Sequence, residues 1–289
     1  MTTAYRIIEE NEGQEIASFL KKLGYSRSII TSLKHGERRL LNGKKARTVD
    51  IMHSGDVLSV TVEDETEIVP NSSLSVPVCY EDDDIVVFDK PYDMAVHPSL
   101  RHYDDTLANY FAYRYPDTTF RSISRLDRNT SGLVMVAKNK LAAAILSGNP
   151  KMRPKKLYYA VVKGDISEKY GCCGEIIAPI ARESDSIITR MVSPVGKYAH
   201  TVFKVIKSSE KMSFLEISLV TGRTHQIRVH FSHIDYPLMG DDLYGGSREL
   251  ISRHALHCGE MSFIHPITKE RITVVSEIPE DMKRLTEMI

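Results

Sequence analysis

The apolar positions along the chain follow two different periods. Short runs in which apolar residues are continuous or alternate with polar ones predict strands, and apolar residues three or four apart predict helices. Asn42-Gly43, between two short runs, is the dipeptide typical of a tight hairpin turn. The predicted strands are 57–62, 84–88, 133–136, 155–162, 196–205 and 214–220, and the predicted helices are at 14–23, after Ser26, at 106–115 and at 140–146.

Proline and polar residues divide this pattern into two parts. Residues 1–65 contain a short strand, two helices, the hairpin and a final strand. Residues 66–78 are polar and contain Pro70 and Pro77, which indicates a linker. We therefore expect a small N-terminal domain, a linker at 66–78 and a large domain at 79–289.

Composition adds limits on the class of protein. The 289 residues are 42% hydrophobic, enough for a sizeable core. No uncharged apolar stretch reaches the ~18 residues of a membrane span, and the N-terminus lacks the apolar region of a signal peptide. The four cysteines show no C-x-x-C spacing, which indicates reduced thiols rather than disulfides or a zinc site. We therefore expect a cytoplasmic protein.

The net charge is zero, from 38 basic and 38 acidic residues, but the charges are segregated along the chain. From Lys21 to Arg47 there are nine basic residues and one acidic residue, Glu37. From Glu63 to Asp89 there are nine acidic residues and no Lys or Arg. Dense positive charge is typical of phosphate binding, so the first stretch is a candidate RNA contact. The alternative is a solvated helix face.

The stretch 122–136 predicts a strand, a tight turn and a second, buried strand. Asp127 lies at the mouth of this turn, between the basic residues Arg125 and Arg128. On turn preferences alone, an Asp at such a place bonds to the backbone of its own turn. This local role is the alternative to a catalytic one.

Residues 221–230 begin a predicted helix, with Thr224 as a reasonable N-cap. Three histidines in and after this segment, His225, His230 and His233, suggest a metal site at first sight. The first two are five residues apart, which places them roughly 140° from each other on a helix. Because no carboxylate or cysteine clusters with them in the sequence, we expect hydrogen-bonding roles and no metal.

Ordered motifs across residues from about 80 to 275 resemble one enzyme family, the RluA/RluD-type pseudouridine synthases. The resemblance implies an α+β fold, with a catalytic domain built on a mixed, mainly antiparallel β-sheet of the pseudouridine synthase type. The motifs are Asp89-Lys-Pro with His97-Pro98, Arg125-Leu-Asp127 with Thr130-Ser-Gly132, Lys156-Leu-Tyr158-Tyr-Ala160 and Thr221-Gly-Arg-Thr-His-Gln-Ile-Arg-Val-His230.

The resemblance also implies roles for individual residues. Asp127 falls on the catalytic aspartate, and Arg228 falls on its arginine partner, which would keep it ionised. Tyr158 falls on the active-site tyrosine and is expected to stack on uracil, whereas Tyr159 points to the other face of its strand. Without the resemblance, Tyr158 would be read as a core aromatic residue. Arg125 is expected to hold phosphate and to fill the gap that a flipped base leaves.

Three positions depart from the family pattern. Asp89 stands where Asn is usual, Asp93 where Gly is usual and Ser124 where His precedes Arg-Leu-Asp. Asp tolerates positive φ better than most residues, so Asp93 is compatible with a glycine position. We expect activity to survive Ser124, with altered substrate contacts.

The N-terminal domain is similar to the S4-like RNA-binding domain, which often precedes the catalytic domain in this family. The similarity lies in Tyr25-Ser-Arg-Ser28, which opens a helix, and in Leu41-Asn-Gly43 after it. With the dense basic charge, it makes Lys34, Arg38 and Lys44 the expected RNA-binding residues.

We therefore predict an RNA pseudouridine synthase, an isomerase that detaches uracil from ribose and rejoins it through C5. The expected substrate is structured RNA, with large-subunit ribosomal RNA favoured over transfer RNA. We expect a monomer that uses no metal and no cofactor, because the detached uracil stays bound and is reused. The alternatives are an RNA-binding ribosome assembly factor that kept the fold and a nucleoside hydrolase that releases free uracil.

Overall fold

The predicted strands and helices form two units in a computed structural model of the chain, Met1–Glu67 and Ile68–Ile289. The structure describes residues 2–25, 30–31, 33, 38–61, 68–183 and 188–289. The helix predicted after Ser26 lies partly outside these residues, and Lys34 lies wholly outside them. Within the described part of the chain, no helix is both long and apolar enough to cross a membrane.

The smaller unit is an antiparallel sheet packed against a helix. Asn42 and Gly43 have φ angles of 52° and 75°, the left-handed geometry that a two-residue hairpin turn requires. Ile16 and Leu20 of the helix pack with Leu58 of the last strand. The elements are β1 (Thr2–Arg6), a 3-10 turn at Glu9–Asn11, α1 (Ile16–Lys22), β2 (Arg39–Leu41), β3 (Lys44–Lys45) and β4 (Val57–Thr61), with the sheet order β1-β4-β2-β3.

The larger unit is built on one extended sheet. Its strands are β5 (Val78–Glu81), β6 (Ile85–Lys90), β7 (Arg121–Ser122), β8 (Ser131–Ala137), β9 (Lys155–Lys163), β10 (Cys173–Ile177), β13 (His200–Ser208), β14 (Met212–Leu219), β15 (Leu256–Ile264) and β16 (Arg271–Val275). The order is β10-β13-β14-β9-β15-β8-β6-β5, with β16 beside β15 and β7 beside β8. The pair β8 and β15 is parallel, and the other paired strands of the described chain are antiparallel. A separate hairpin pairs β11 (Ile180–Arg182) with β12 (Arg190–Val192). The predicted α+β class with a mainly antiparallel sheet is confirmed.

The helices of the larger unit begin at defined caps. Thr106 and Asn109 form a reciprocal capping box at the start of the first helix. Thr224 is not an N-cap, contrary to the prediction: His225 takes that position, and the side-chain oxygen of Gln226 accepts the N–H of Arg223 instead. The helices are α2 (Leu107–Arg114), α3 (Lys140–Gly148), α4 (Ser167–Tyr170), α5 (Gln226–His233) and α6 (Glu280–Glu287), with 3-10 turns at Pro150–Met152 and Asp242–Tyr244.

The central strands of the large sheet are buried on both faces. Every residue of β8 is buried, and alternate residues of that strand belong to different apolar clusters. On β9, Tyr158 packs in the cluster that contains Met135, whereas Tyr159 lies on the other face and stacks on Phe214. A strand covered on both faces holds its side chains tightly. β8 begins after the turn that contains Asp127, and β9 contains Tyr158, so both strands position residues of the site described below.

The segment predicted as a linker packs against the larger unit from residue 68 onward. Val76 is 2% exposed and lies in the apolar cluster of Phe88 and Phe111. The side-chain amide of Asn109 donates to the carbonyl of Val69 at 2.8 Å. The prolines and polar residues that suggested a linker therefore belong to an extended segment fixed by one buried valine and by side-chain hydrogen bonds.

Gly132 makes the closest backbone approach between β8 and β15. It pairs with Cys258, and its φ is 109°. A Cβ on Gly132 would lie 2.3 Å from the carbonyl oxygen of Cys258 and 2.7 Å from its nitrogen. Only glycine fits both this φ and this space. The contact therefore fixes the first residues of β8, which follow directly after the turn that contains Asp127.

We expect Gly132→Ala to lower the free energy of unfolding by about 3 kcal/mol or more, because backbone strain and overpacking each cost roughly 1–3 kcal/mol. Urea denaturation followed by circular dichroism measures the difference. Gly148→Ala is the matched control, since a Cβ there meets nothing within 4 Å. Equal stability of the two variants would contradict the role given to Gly132.

Candidate active site

Asp127 lies in the turn between β7 and β8. The N–H of Thr130 donates to the backbone carbonyl of Asp127 at 3.1 Å, which closes the turn. The carboxylate itself points away from this local bond, and the side chain of Asp127 is 26% exposed. The group is therefore partly buried and still open to a substrate.

Four buried basic side chains hold the four residues that follow Asp127. The four residues are consecutive, and each of them contacts a different basic side chain from a distant part of the chain. The ammonium of Lys90 donates to the carbonyl of Arg128 (3.1 Å), Arg253 donates to the carbonyl of Asn129 (3.3 Å), His254 bonds to the hydroxyl of Thr130 (2.8 Å) and His257 bonds to the hydroxyl of Ser131 (3.0 Å). Because these groups are buried, the turn has little freedom to move.

Arg228, on α5, contacts two carboxylates. Its Nε and Nη2 donate to the two oxygens of Asp241 at 2.7 Å and 2.8 Å. Its Nη1 donates to Oδ2 of Asp127 at 3.2 Å. The side chains of Arg228 and Asp241 are 7% and 1% exposed. Asp241 therefore fixes the plane of the guanidinium, and this orientation directs the third nitrogen toward Asp127.

The two carboxylates keep the guanidinium charged. Burial alone would lower the pKa of Arg228, but the hydrogen bonds and negative charge of Asp241 outweigh burial, and Asp127 adds to them. The net result is a pKa of Arg228 above its ordinary value. A buried charge of this kind is stable only with such partners.

His225 and Tyr244 lie on another side of Asp127. The Nε2 of His225 is 3.7 Å from Oδ2 of Asp127, and its Nδ1 is 2.9 Å from the hydroxyl of Tyr244. That hydroxyl also accepts the backbone N–H of Arg190 at 2.9 Å. Burial lowers the pKa of His225, and the charge of Arg228 lowers it further although Asp127 acts in the opposite direction. His225 is therefore neutral at neutral pH. Its backbone has a φ of 56°, which is uncommon outside glycine.

Tyr158 is almost completely buried, with 6% of its surface exposed. Burial raises the pKa of its hydroxyl well above the ordinary value, and the nearby Cys258 and Asp127 add to the effect. The hydroxyl therefore keeps its proton at neutral pH. The structure thus gives Tyr158 both a core position and proximity to the carboxylate of Asp127.

Buried cations and neutral histidines surround the turn. Burial lowers the pKa of Lys90 to about 7 while Asp127 opposes the shift, and its ammonium donates to three carbonyl oxygens. Burial lowers the pKa of His254 to about 2, and the charges of Arg228 and Arg253 contribute. His254 is consequently neutral, which limits the positive charge packed behind Asp127.

Among the described residues, the other residues named from the sequence make no hydrogen bond or ion pair with Asp127. Arg125 is exposed, two residues before Asp127. In the smaller unit, Lys44 is exposed on β3 and Arg38 is half-buried immediately before β2. Asp93 has a φ of 62°, as a glycine position allows, and its carboxylate pairs with Arg128 at 2.7 Å.

Ser124, which departs from the family pattern, has a structural role. Ser124 is 8% exposed, and its hydroxyl accepts the N–H of Met135 on β8 at 3.3 Å. The serine therefore satisfies a backbone donor next to the turn.

Among the residues that the structure describes, no cluster of metal-binding side chains includes Asp127. Both ring nitrogens of His230 are engaged, with the hydroxyl of Thr201 and the carbonyl of Ala178, each at 2.9 Å. Elsewhere in the described residues, Asp82, Asp84 and His265 lie close enough to hold a metal ion. One oxygen of Asp82 accepts the N–H groups of Asp84 and Ile85, and the other accepts the hydroxyl of Tyr80. The carboxylate of Asp82 therefore has a structural role, because it stabilises the turn before β6.

Sequence reasoning missed several residues of the site. It gave no role to Asp241 or Tyr244. It expected a hydrogen-bonding role for His225 but no place beside Asp127. The signal was present in the acidic and aromatic residues of Gly240-Asp-Asp-Leu-Tyr-Gly245, but their partner on α5 is visible only in the folded chain.

Comparisons with known proteins identify the family of this chain. A family model for RNA pseudouridylate synthases matches residues 84–233, which include Asp127, Tyr158 and Arg228. Over 279 residues the chain is 38% identical to the RNA pseudouridine synthase YjbO of Bacillus subtilis, covering 93% of this chain and 97% of that protein. Over 285 residues it is 34% identical to the ribosomal large subunit pseudouridine synthase D of Pseudomonas aeruginosa, covering 92% and 88%.

A solved structure shares the fold. Human RNA pseudouridylate synthase domain containing 1 matches with a TM-score of 0.60 at 26% identity, over 76% of this chain and 96% of that chain. The sheet, the ordered motifs and these relatives lead to one conclusion: the chain belongs to the RNA pseudouridylate synthase family and is an RluA/RluD-type isomerase that acts on RNA.

Proposed function

We propose that Asp127 is the catalytic residue with which this enzyme converts specific uridines of large-subunit ribosomal RNA to pseudouridine. The observation that supports this assignment best is a partly open carboxylate, at the end of a rigid turn, 3.2 Å from a buried arginine. Perturbed and paired ionisable groups of this kind are concentrated at functional sites.

The reaction needs one well-placed carboxylate and no second reactant. The bond between ribose C1′ and uracil N1 breaks, and a bond between C1′ and C5 forms. C5 loses a proton and N1 gains one, so the product is an isomer of the substrate. Departure of uracil leaves positive charge at C1′, which a carboxylate stabilises either by its charge or by a transient covalent bond, as in glycoside hydrolysis.

Arg228 and His225 prepare Asp127 for this task. Arg228 pairs with Asp127 and holds it in one orientation, because Asp241 fixes the guanidinium from behind. His225 is neutral, so it contacts the carboxylate without cancelling its charge. The negative charge of Asp127 is then available to C1′ of the substrate.

Tyr158 and Arg125 act on the base and on the surrounding RNA. The hydroxyl of Tyr158 retains its proton, so the residue serves to pack against uracil and to donate a hydrogen bond rather than to abstract the C5 proton as a phenolate. A uridine inside folded RNA must leave its stack to reach Asp127. The exposed guanidinium of Arg125 lies two residues away in sequence and is suited to fill the gap or to hold a phosphate.

Similar proteins support the assignment of the RNA. The relatives at 34% identity from Pseudomonas aeruginosa and Xanthomonas campestris are both named ribosomal large subunit pseudouridine synthase D. We infer the same class of RNA for this chain.

Pseudouridine mapping tests both parts of the proposal. Carbodiimide labelling and primer extension are applied to RNA from cells that lack the gene and carry the wild type or Asp127→Asn. We expect one or more pseudouridines in large-subunit ribosomal RNA to be lost without the gene and restored by the wild type. We expect Asp127→Asn not to restore them, because its side chain cannot stabilise charge at C1′.

Asp117→Asn is the matched control, since Asp117 is exposed on the larger unit and lies outside the site. Restoration by Asp127→Asn would exclude this residue as the catalyst. Loss of sites only in transfer RNA would overturn the assignment of the substrate but not of the reaction. Release of free uracil by the purified enzyme would indicate hydrolysis instead of isomerisation.

We further propose that Asp241 is a positioning residue. Asp241→Asn is expected to lower kcat about 10- to 100-fold with little change in KM, because a guanidinium that shifts by about 1 Å misplaces Asp127. Asp241→Glu, which keeps both carboxylate oxygens, should restore part of the lost kcat. Single-turnover rates of the two variants at several RNA concentrations measure the loss and its rescue.

Asp242→Asn is the control, because the neighbouring Asp242 is 56% exposed and pairs with Arg248 on the surface. A lowered melting temperature with unchanged kcat in Asp241→Asn would mean that Asp241 only stabilises the fold.

We also propose that the smaller unit binds RNA through Lys34, Arg38 and Lys44, as its S4-like pattern suggests. Neutralising all three to Gln is expected to weaken RNA binding and to reduce the slope of log K against log salt by about 2, because each phosphate contact contributes ~0.7–0.9. Filter binding at several salt concentrations measures the slope. A variant with Lys140, Lys204 and Lys211 changed to Gln, all exposed on the larger unit, should keep the wild-type slope. Equal slopes for both variants would remove the RNA role of the smaller unit.

A further inference from the structure

A second charged feature lies beside the proposed catalytic centre. The β11–β12 hairpin, the turn before Lys197 and the loop at 222–224 surround a pocket of about 460 Å³. Its lining includes four cationic side chains and, among the described residues, no carboxylate. We call it the hairpin pocket; its cations are Arg182, Arg190, Lys197 and Arg223.

The arrangement of two of these cations favours an anion. Arg182 and Arg190 are directly opposite each other on the paired strands of the hairpin. Like charges at opposed positions of an antiparallel pair destabilise it. A phosphate between the two guanidinium groups would convert this repulsion into attraction. No step described for Asp127 uses these side chains.

The backbone around the pocket is well defined. Ile180 and Lys197 exchange two backbone hydrogen bonds, each 2.9 Å long. A Cβ on Gly196 would lie within 2.6 Å of the backbone of Ile180, so the turn packs directly on the hairpin. The Nε of Arg223 donates to the carbonyl of Tyr198 at 3.0 Å. The cations are therefore presented by segments that are fixed to one another.

Two hydrogen bonds and one close contact connect the hairpin pocket to Asp127. The backbone N–H of Arg190 donates to the hydroxyl of Tyr244, which contacts His225. The other ring nitrogen of His225 is 3.7 Å from the carboxylate of Asp127. The loop that contains Arg223 leads directly into α5, which carries Arg228. The pocket and the carboxylate of Asp127 are thus linked through Tyr244 and His225 and through α5.

The hairpin pocket combines charge with an exposed apolar side chain. Val195, which lines the pocket, is 90% exposed. Apolar side chains beside cations suit an unpaired RNA strand, in which phosphates and the flat faces of bases are accessible together.

We propose that the hairpin pocket binds the phosphodiester backbone of the substrate RNA strand next to the target uridine. This proposal rests on the function proposed above, because it takes the substrate to be RNA that reacts at Asp127. The pocket holds the strand while the uridine leaves its stack. Its contribution is to binding and to the placement of the flanking nucleotides, and the chemistry at C1′ remains with Asp127.

The test compares two double variants of the full chain. Arg182→Gln/Lys197→Gln removes two exposed cations of the pocket, and Arg190 and Arg223 are left in place because they also bond to backbone carbonyls. Lys140→Gln/Lys211→Gln removes two exposed cations elsewhere on the larger unit. Binding of a labelled oligouridylate is measured at several salt concentrations, and turnover is measured on a large-subunit ribosomal RNA transcript.

For the pocket variant we expect affinity to fall roughly tenfold and the salt slope to fall by about 1.4, since each contact to a single strand contributes ~0.7. We expect KM to rise and kcat to stay the same. The control variant should match the wild type. Identical slopes and KM values for the two variants would overturn the proposal.

A second measurement does not depend on variants. The amine of Lys197 is acetylated with an activated ester in the wild-type protein, with and without the oligouridylate, and followed by mass spectrometry. RNA should protect Lys197 and leave Lys140 unprotected, and equal acetylation of both would contradict the proposal. The affinity for the oligouridylate and the protection of Lys197 are both measured without turnover. Both results would therefore be unchanged if Asp127 were not the catalytic residue.

Discussion

Arg228 bonds to two carboxylates at once, and the catalytic unit is arranged around this buried ion cluster. A guanidinium with a side chain only 7% exposed needs acceptors for its donors, and Asp241 provides two oxygens in a planar arrangement. The remaining donor reaches Asp127 at 3.2 Å. Two negative charges share one positive charge, so the cluster keeps an excess of negative charge. Under the function proposed above, the partly exposed carboxylate of Asp127 makes this excess available to a positive charge that develops on ribose.

A carboxylate is useful here only if it stays in place while the RNA rearranges. The turn after Asp127 is held by four basic side chains, but they do not all carry charge. Burial lowers the pKa values of His254 and His257, so both bond to hydroxyl groups as neutral rings. Four cations at this place would repel one another and would offset the negative charge of Asp127. The structure thus combines rigidity with little added positive charge.

Local patterns in the sequence were sufficient for much of the fold. Alternation and helical spacing identified β4, β6, β9 and most helices, and Asn42-Gly43 identified a hairpin turn that has the required φ angles. The predictions failed where distant parts of the chain decide the local structure. Thr224 was expected to cap α5, but His225 takes the cap position, next to Gln226, whose side-chain amide donates to His200 and Thr201 on β13. Burial of Val76 in a distant cluster likewise fixes a segment that reads as a linker.

The same distinction applies to the candidate site. Family resemblance pointed to Asp127, Tyr158 and Arg228, and the structure places Arg228 beside Asp127 although 101 residues separate them. The resemblance gave no partner for Nε and Nη2 of Arg228. The pairing of Arg228 with Asp241 leaves no local pattern in either segment of the sequence. The close approach of Gly132 to Cys258 is equally invisible in the sequence, since it depends on the parallel pairing of β8 with β15.

Zero net charge does not weaken the assignment of RNA as the substrate, because phosphate binding depends on local charge. Screening limits the reach of an exposed charge to about 10 Å at ordinary ionic strength, so acidic segments farther away have little effect on a basic surface. A neutral chain with separate basic surfaces binds short or arbitrary nucleic acids weakly. An RNA that contacts two such surfaces at once gains affinity from both, since the second contact forms within the same complex. If the two basic surfaces bind RNA as proposed above, charge segregation along this chain favours a large structured RNA over nonspecific binding.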